Sequence, residues 1–226
     1  MKKQRADGRE TRKNLLAAAG EVFAEKGFWE ATHADICGKA NANTAAVNYH
    51  FGSKENLYVE AWKYSFETGV KAYPPDGGVS PTASIEERLR GRILSFMQRA
   101  ADPALHDFEI IHKEMANPTG LLAETMEKAI TPFEDDFKLL LAELLGRGAT
   151  EKQIRFCHII YTHQCFGPML HLRHKKSEHA LPPPKDMQKG FGIEELADHI
   201  TRFSLGGMNG IRNETKKRKK RSKARN

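Results

Sequence analysis

A chain of 226 residues, 39% hydrophobic and 29% charged, is long enough to bury one large or two small cores without staples, and its make-up is that of an ordinary soluble globular protein. No apolar run reaches the roughly eighteen residues needed to span a bilayer, and no signal-peptide pattern follows Met1-Lys2-Lys3-Gln4-Arg5. The expected location is therefore the cytoplasm, without a membrane partner. Cys37, Cys157 and Cys165 are an odd number with neither metal nor redox spacing, which argues against a disulfide framework and for small buried apolar residues. The formal net charge of +7 is a local property: eight cations between Lys216 and Arg225 exceed it by one, so residues 1–215 sum to −1. A smaller excess lies at the start, where six cations from Lys2 to Lys13 face only Asp7 and Glu10.

In chain order, Leu15, Leu16, Ala19, Val22 and Phe23 recur at helical spacing from about Thr11 to Lys26, and Gly27 supplies a stop. Thr32 can cap a short helix carrying Ala34, Ile36, Cys37 and Ala40, and Asn43 a second one through Val47 to about His50. Ser53 can cap a fourth, with Leu57, Tyr58, Ala61, Trp62 and Phe66. The stretch from Tyr73 to Thr82, rich in Pro and Gly, marks a boundary. Ser84-Ile85-Glu86-Glu87 has the form of a capping box, opening a helix that should last until Asp102-Pro103. Further helical stretches are expected over Leu105–Ala116, Leu121–Ile130 and Phe133–Leu145. A long helix starts at Thr150 and should kink at Gly167-Pro168. Residues His179–Gly192 read as a loop, and a last helix follows with Ile193, Leu196, Ala197, Ile200 and Phe203. Period-two alternation is absent, so the fold class is all-α. The expected domains are 1–70 and 71–212, with 213–226 a basic disordered tail.

Residues 32–51 fit a helix-turn-helix: a short helix, a turn residue that tolerates positive φ in Asn41, and a second helix with small and polar side chains. Ile36, Ala40, Ala42 and Val47 form its internal apolar set, and Thr44, Ala45, Asn48, Tyr49 and His50 its exposed face. The dispersed set Gly27-Phe28, Ala31-Thr32, Asp35-Ile36, Ala40 and Asn48-Tyr49-His50-Phe51-Gly52-Ser53-Lys54-Glu55, with Leu57-Tyr58, resembles the DNA-binding signature of the TetR family over about residues 10–65. Asn41 stands where that family usually has Gly, and Ala45 where Gly is frequent. The segment Ile111–Thr119, together with Ala45–Lys54, further resembles the CerR-like subgroup.

That resemblance implies a head of three helices on a larger helical ligand-binding and dimerisation domain. It implies that Thr32 and Lys54 hold phosphates, with Tyr49 or His50 also on the backbone, and that Thr44, Ala45, Ala46, Asn48 and Tyr49 lie toward base edges. Arg5, Arg9, Arg12 and Lys13 are expected to add phosphate or minor-groove contacts. Hydroxyl and ammonium groups fix register on phosphates, whereas short side chains read bases within the major groove. The family also implies a pocket for an unidentified small-molecule effector, for which Phe96, Phe108, His112, Met115, Met126, Phe137, Tyr161, His163 and Phe166 are candidates, though sequence alone favours core over ligand contact for each. The last long helices, roughly 151–173 and 193–206, would join two protomers on a palindromic operator, with the fourth helix bridging head and body.

The competing readings are plainer. His158, His163, His171, His174 and His179, with Cys157 and Cys165, lack ligand spacing and read as core or cavity residues, so neither metal nor cofactor is expected. No nucleophile elbow, phosphate loop or dinucleotide fingerprint is present, and an enzyme is not expected. The C-terminal basic run is either a solvated tail or a second nucleic-acid grip, the tail being favoured. The expected function is a repressor of transcription released by an inducer; the alternative is a ligand-independent DNA-binding or architectural protein.

Overall fold

The computed structural model describes residues 2–174 and 192–223. All its regular elements are helices: α1 (Lys2–Glu30), α2 (His33–Ala40), α3 (Thr44–Phe51), α4 (Lys54–Ala72), α5 (Ile85–Ala101), α6 (Asp107–Ala116), α7 (Ala123–Leu145), α8 (Glu151–His174) and α9 (Ile193–Lys223). They fall into two compact units, the first of residues 1–72 with 103–129, the second of 73–102 with 130–226.

In the first unit α1 packs on α2, α4 and α6. Its buried stripe, Leu15, Leu16, Ala19, Val22 and Phe23, is the one its periodicity indicates, and it meets Leu57, Tyr58, Ala61 and Trp62 of α4. The Phe23 and Tyr58 rings stand edge to face at 4.8 Å. Burying a side chain of this size is worth about 1.5–3 kcal/mol, so these few residues carry much of the unit's stability. Helix α6 is held at both ends by α4. Its N-cap, His106, makes no side-chain cap bond. Ser65 Oγ of α4 instead accepts from the His106 and Asp107 N–H groups at 2.7 and 3.1 Å, occupying two of the donors that a helix start leaves open. Toward its other end, the Glu114 carboxylate accepts from Tyr58 Oη, from the Thr119 N–H and hydroxyl, and from the Gly120 N–H, which shapes the turn after the helix.

In the second unit α5 starts at the capping box read from Ser84 and Glu87 and buries Leu89, Ile93, Met97 and Ala100, packing on α8 and α9. Arg88 pairs with Glu143 and Arg92 with Asp136, tying α5 to α7, while Arg90 reaches Asp198 of α9 at 2.6 Å. Ser204 donates to Gln164 and Gln153 donates to Thr215, joining α8 and α9 at 3.2 Å in both places.

Several boundaries differ from those read in the sequence. Helix α1 begins at Lys2 rather than near Thr11, with Gly8 but no proline between, and its helical backbone breaks at Gly27, where the sequence reading put a stop. The stretches 121–130 and 133–145 are one helix through Pro132. A proline removes one N–H bond, but Pro132 is exposed, and Phe137, Leu140, Leu141 and Leu144 beyond it are buried. Helix α8, by contrast, runs through Gly167-Pro168 to His174, matching the expected span of about 151–173, with Cys157, Tyr161 and Cys165 buried. The basic run, read as disordered, continues α9 to Lys223: Lys and Arg are good helix formers and no Gly or Pro follows Gly210. Of the loop expected over 179–192, all but Gly192 lies outside the described residues, as does His179.

Candidate nucleic-acid interface

The helix-turn-helix is built by caps. Thr32 has extended backbone and its hydroxyl accepts from the Asp35 N–H at 3.1 Å, while the Asp35 carboxylate takes the Thr32 N–H at 3.0 Å. This reciprocal pair satisfies donors on both sides of the α2 start. The Lys26 ammonium lies 2.7 Å from the same carboxylate, and together with the Thr32 hydroxyl and N–H it holds the Asp35 carboxyl down at about 2. Asn41 then adopts φ 49°, ψ 46°, the left-handed turn for which a short amide side chain is tolerated. Its own N–H and that of Ala42 return to the Gly38 and Cys37 carbonyls.

Asn43 caps α3, its side chain accepting from the Ala45 N–H at 2.9 Å. Val47 and Phe51, one turn apart, are the buried side of α3. With that side fixed, helical geometry turns Thr44, Ala45, Asn48 and Tyr49 outward, and all four are exposed, Tyr49 by 85%. Ala46 and His50 lie half-buried at the margin, the His50 ring edge-on to Tyr49 at 4.9 Å. After α3 the Asn56 amide donates to the Phe51 carbonyl at 3.0 Å and Ser53 Oγ accepts from the Asn56 N–H, so the α3–α4 turn is fixed from α4.

The flanking cations are not equivalent. Thr32 is exposed at the α2 start. Lys54 opens α4, half-buried, with its ammonium 4.5 Å above the Phe28 ring. Arg12, expected among the phosphate-facing groups, is paired with Glu60 and sits 5.1 Å over the Phe51 ring, so it braces α1 against α3 and α4. Arg9 and Lys13 are exposed.

The nine effector candidates divide between the two units. Phe96, Phe137 and Tyr161 share a ring cluster in the second, with Phe137 4.2 Å and Phe96 6.4 Å from Tyr161. His163 and Phe166 belong to the same unit, His163 exposed and bonded to the Ile159 carbonyl, Phe166 half-buried. Phe108, His112, Met115 and Met126 belong to the first unit; Phe108 is buried, His112 and Met126 half-buried, and Met115 72% exposed. None of the nine lines the cavity of about 480 Å³ in the first unit, whose walls include Asn14, Glu21, Lys39, Tyr64, Thr68 and His106. Those polar residues come from four separate stretches of the chain, and no periodicity announces them. His158, weighed as a ligand for metal, packs 5.8 Å from Phe137, and burial lowers its pKa.

Two family models match the chain. Residues 15–61 match the bacterial regulatory proteins of the tetR family, and residues 85–208 match the C-terminal domain of the HTH-type transcriptional dual regulator CecR. Of the two segments that carry the subgroup resemblance, Ile111–Thr119 falls within the latter match and Ala45–Lys54 within the former. The HTH-type transcriptional dual regulator CecR of Shigella flexneri is 28% identical over 182 residues, covering 74% of this chain and 77% of that one. The HTH-type transcriptional regulator SrpR of Pseudomonas putida is 25% identical, covering 68% of each. Among solved structures, a TetR-like transcriptional regulator from Rhodococcus sp. RHA1 superposes with a TM-score of 0.66 at 17% identity, over 88% of this chain and 96% of that one. AibR, solved in complex with isovaleryl coenzyme A and operator DNA, gives 0.63 at 15% identity, over 84% and 96%. At such identities the structures establish the fold, a helical head and a helical C-terminal domain.

Proposed function

The chain belongs to the TetR family of bacterial regulatory proteins and carries a CecR-type C-terminal domain, and from that membership we propose that it is a homodimeric repressor, released from a palindromic operator by a small-molecule inducer. It is a DNA-binding transcriptional regulator. The observation that carries the finer reading is the outward face of α3: Thr44, Ala45, Asn48 and Tyr49 are exposed while Val47 and Phe51 pin the helix from behind. In this reading α3 enters the major groove, where the Asn48 amide matches the donor–acceptor edge of adenine, the Thr44 and Ala45 methyls meet thymine, and Ala46 lies close to the groove floor. Thr32, Lys54 and His50 hold the flanking phosphates, with Tyr49 reaching either bases or backbone.

Dimerisation is supported by α8 and α9, which leave Phe156, Ile159, Ile160 and Phe203 substantially exposed in one protomer. A second copy would cover them, and an isologous interface of that kind would present two α3 helices to a twofold site. The effector contacts proposed are those of the nine that belong to the second unit, Phe96, Phe137, Tyr161, His163 and Phe166, with the Phe96–Phe137–Tyr161 ring cluster as the group that supports the reading. An inducer that prefers the DNA-incompetent arrangement of the heads shifts the population away from the operator, with α4 as the connecting element. No helix among the described residues is long and apolar enough to cross a membrane, and a cytoplasmic site of action is part of the proposal.

Footprinting the protein on DNA flanking its own gene tests the reading. A protected pseudo-palindrome is expected. Asn48→Ala and Tyr49→Ala should each weaken binding to it by about 10- to 100-fold, the range for losing one base-reading contact, with unchanged thermal stability. Absence of any protected site, or variants that bind as the parent does, overturns it.

A further inference from the structure

The end of α9 differs chemically from everything before it. Eight cations lie between Lys216 and Arg225 with no acid among them, whereas residues 1–215 carry a net −1. The helix ties to α8 as far along as Thr215, which accepts from Gln153, and then runs on to Lys223. Lys216, Lys217 and Arg218 are exposed and, among the described residues, pair with no carboxylate.

A helix with this sequence sets like charges against one another. Positions 216, 219 and 220 are spaced by three and four, as are 217, 220 and 221, and same-sign neighbours at those spacings destabilise a helix. The favourable field of the helix C-terminus offsets only the last turn. A polyanion removes the repulsion altogether. The eight residues from 216 to 223 extend about 12 Å, the run of three to four phosphates along one DNA strand. A membrane surface fits less well: interfacial helices need an apolar face, and from Arg212 to Asn226 the sole apolar residue is Ala224.

We propose that the basic extension of α9 is a second, sequence-independent grip on the phosphate backbone of duplex DNA, distinct from base reading by α3. It raises affinity for all sequences alike and selects none, because ammonium and guanidinium groups on phosphates carry no base information. Its contribution is electrostatic and falls steeply with salt.

The test uses the full chain with Lys216, Lys217, Arg218, Lys219, Lys220 and Arg221 all changed to Gln, which keeps helix propensity while removing charge. Affinity for a short duplex of non-operator sequence is measured by fluorescence anisotropy as NaCl is raised. The slope of log affinity against log salt should become shallower by about 3, given about 0.9 for each of the three to four phosphates the helix spans. Asn48→Ala with Tyr49→Ala should leave the non-operator slope where it is, so failure of the α3 reading and failure of this one are separable. A change in slope below about 1 overturns the proposal. So does co-sedimentation of the parent, but not the six-fold variant, with phosphatidylserine vesicles while duplex binding is identical in both.

Discussion

Tyr58 and Glu114 meet across 56 positions of sequence: the phenol of α4 donates to the carboxylate of α6 at 3.0 Å, and that carboxylate also accepts from Thr119 and Gly120. Burial, with the Glu114 carboxylate beside it, pushes the Tyr58 phenol far above its ordinary range, so it is a donor at any working pH. Tyr58→Phe removes one bond and should cost about 1 kcal/mol. Glu114→Ala strands four donors at once and should cost about 3 kcal/mol or more. Urea unfolding checks both through a lowered midpoint at constant slope. Equal losses in the two variants would mean that Glu114 does not organise the turn.

Asp35 gives the head an acid limit. Its carboxyl is held at about 2 against an ordinary 3.8, so the folded state favours the ionised form. The stabilisation is complete above the ordinary value and disappears as pH falls from 3.8 through 2. Asp35→Asn should be less stable than the parent at neutral pH, with the gap narrowing through that window. Thermal melts at a series of pH values report it; a gap independent of pH would show that the charge contributes nothing.

Two turn positions should respond in opposite ways. Gly27 has φ 75°, ψ 177°, which side chains avoid, though a Cβ there would only touch Lys113 at 3.8 Å. Gly27→Ala should therefore cost about 1–3 kcal/mol from backbone strain alone. Asn41 is already left-handed at φ 49°, so Asn41→Gly should change stability by less than about 1 kcal/mol, strain relief offsetting chain entropy. Comparing the midpoints of the two variants is sufficient.

If α8 and α9 form the dimer seam, a charge there should split it. Ile160 is 54% and Phe203 65% exposed in one protomer. Ile160→Glu with Phe203→Glu should sediment as a monomer at micromolar concentration and bind operator at least about 100-fold more weakly, one head lacking the second half-site. Leu139→Glu, at an equally exposed position of α7, is the control that stays dimeric. A double variant that remains dimeric would place the seam elsewhere.

Much of the head was legible from local chemistry. Thr32, Asn41, Asn43 and Ser53 cap or turn the chain through bonds within five residues, and Val47 with Phe51 marks the inner side of α3 by spacing alone. Arg12 shows where such reasoning stops: a cation beside a DNA-reading motif reads as a phosphate ligand, yet Glu60, 48 positions away, pairs with it.

The short-range content of this chain, its caps, turn residues and apolar periods, determined that it is helical and where α2 and α3 begin, because those interactions involve neighbours along the backbone. Tertiary structure decided what neighbours cannot encode. Pro132 stays inside α7, where Phe137, Leu140, Leu141 and Leu144 are buried, and Ser65 of α4 supplies the cap that α6 lacks. Partners separated by tens of residues meet only once the helices pack, and the energy of that packing outweighs what any single residue prefers on its own.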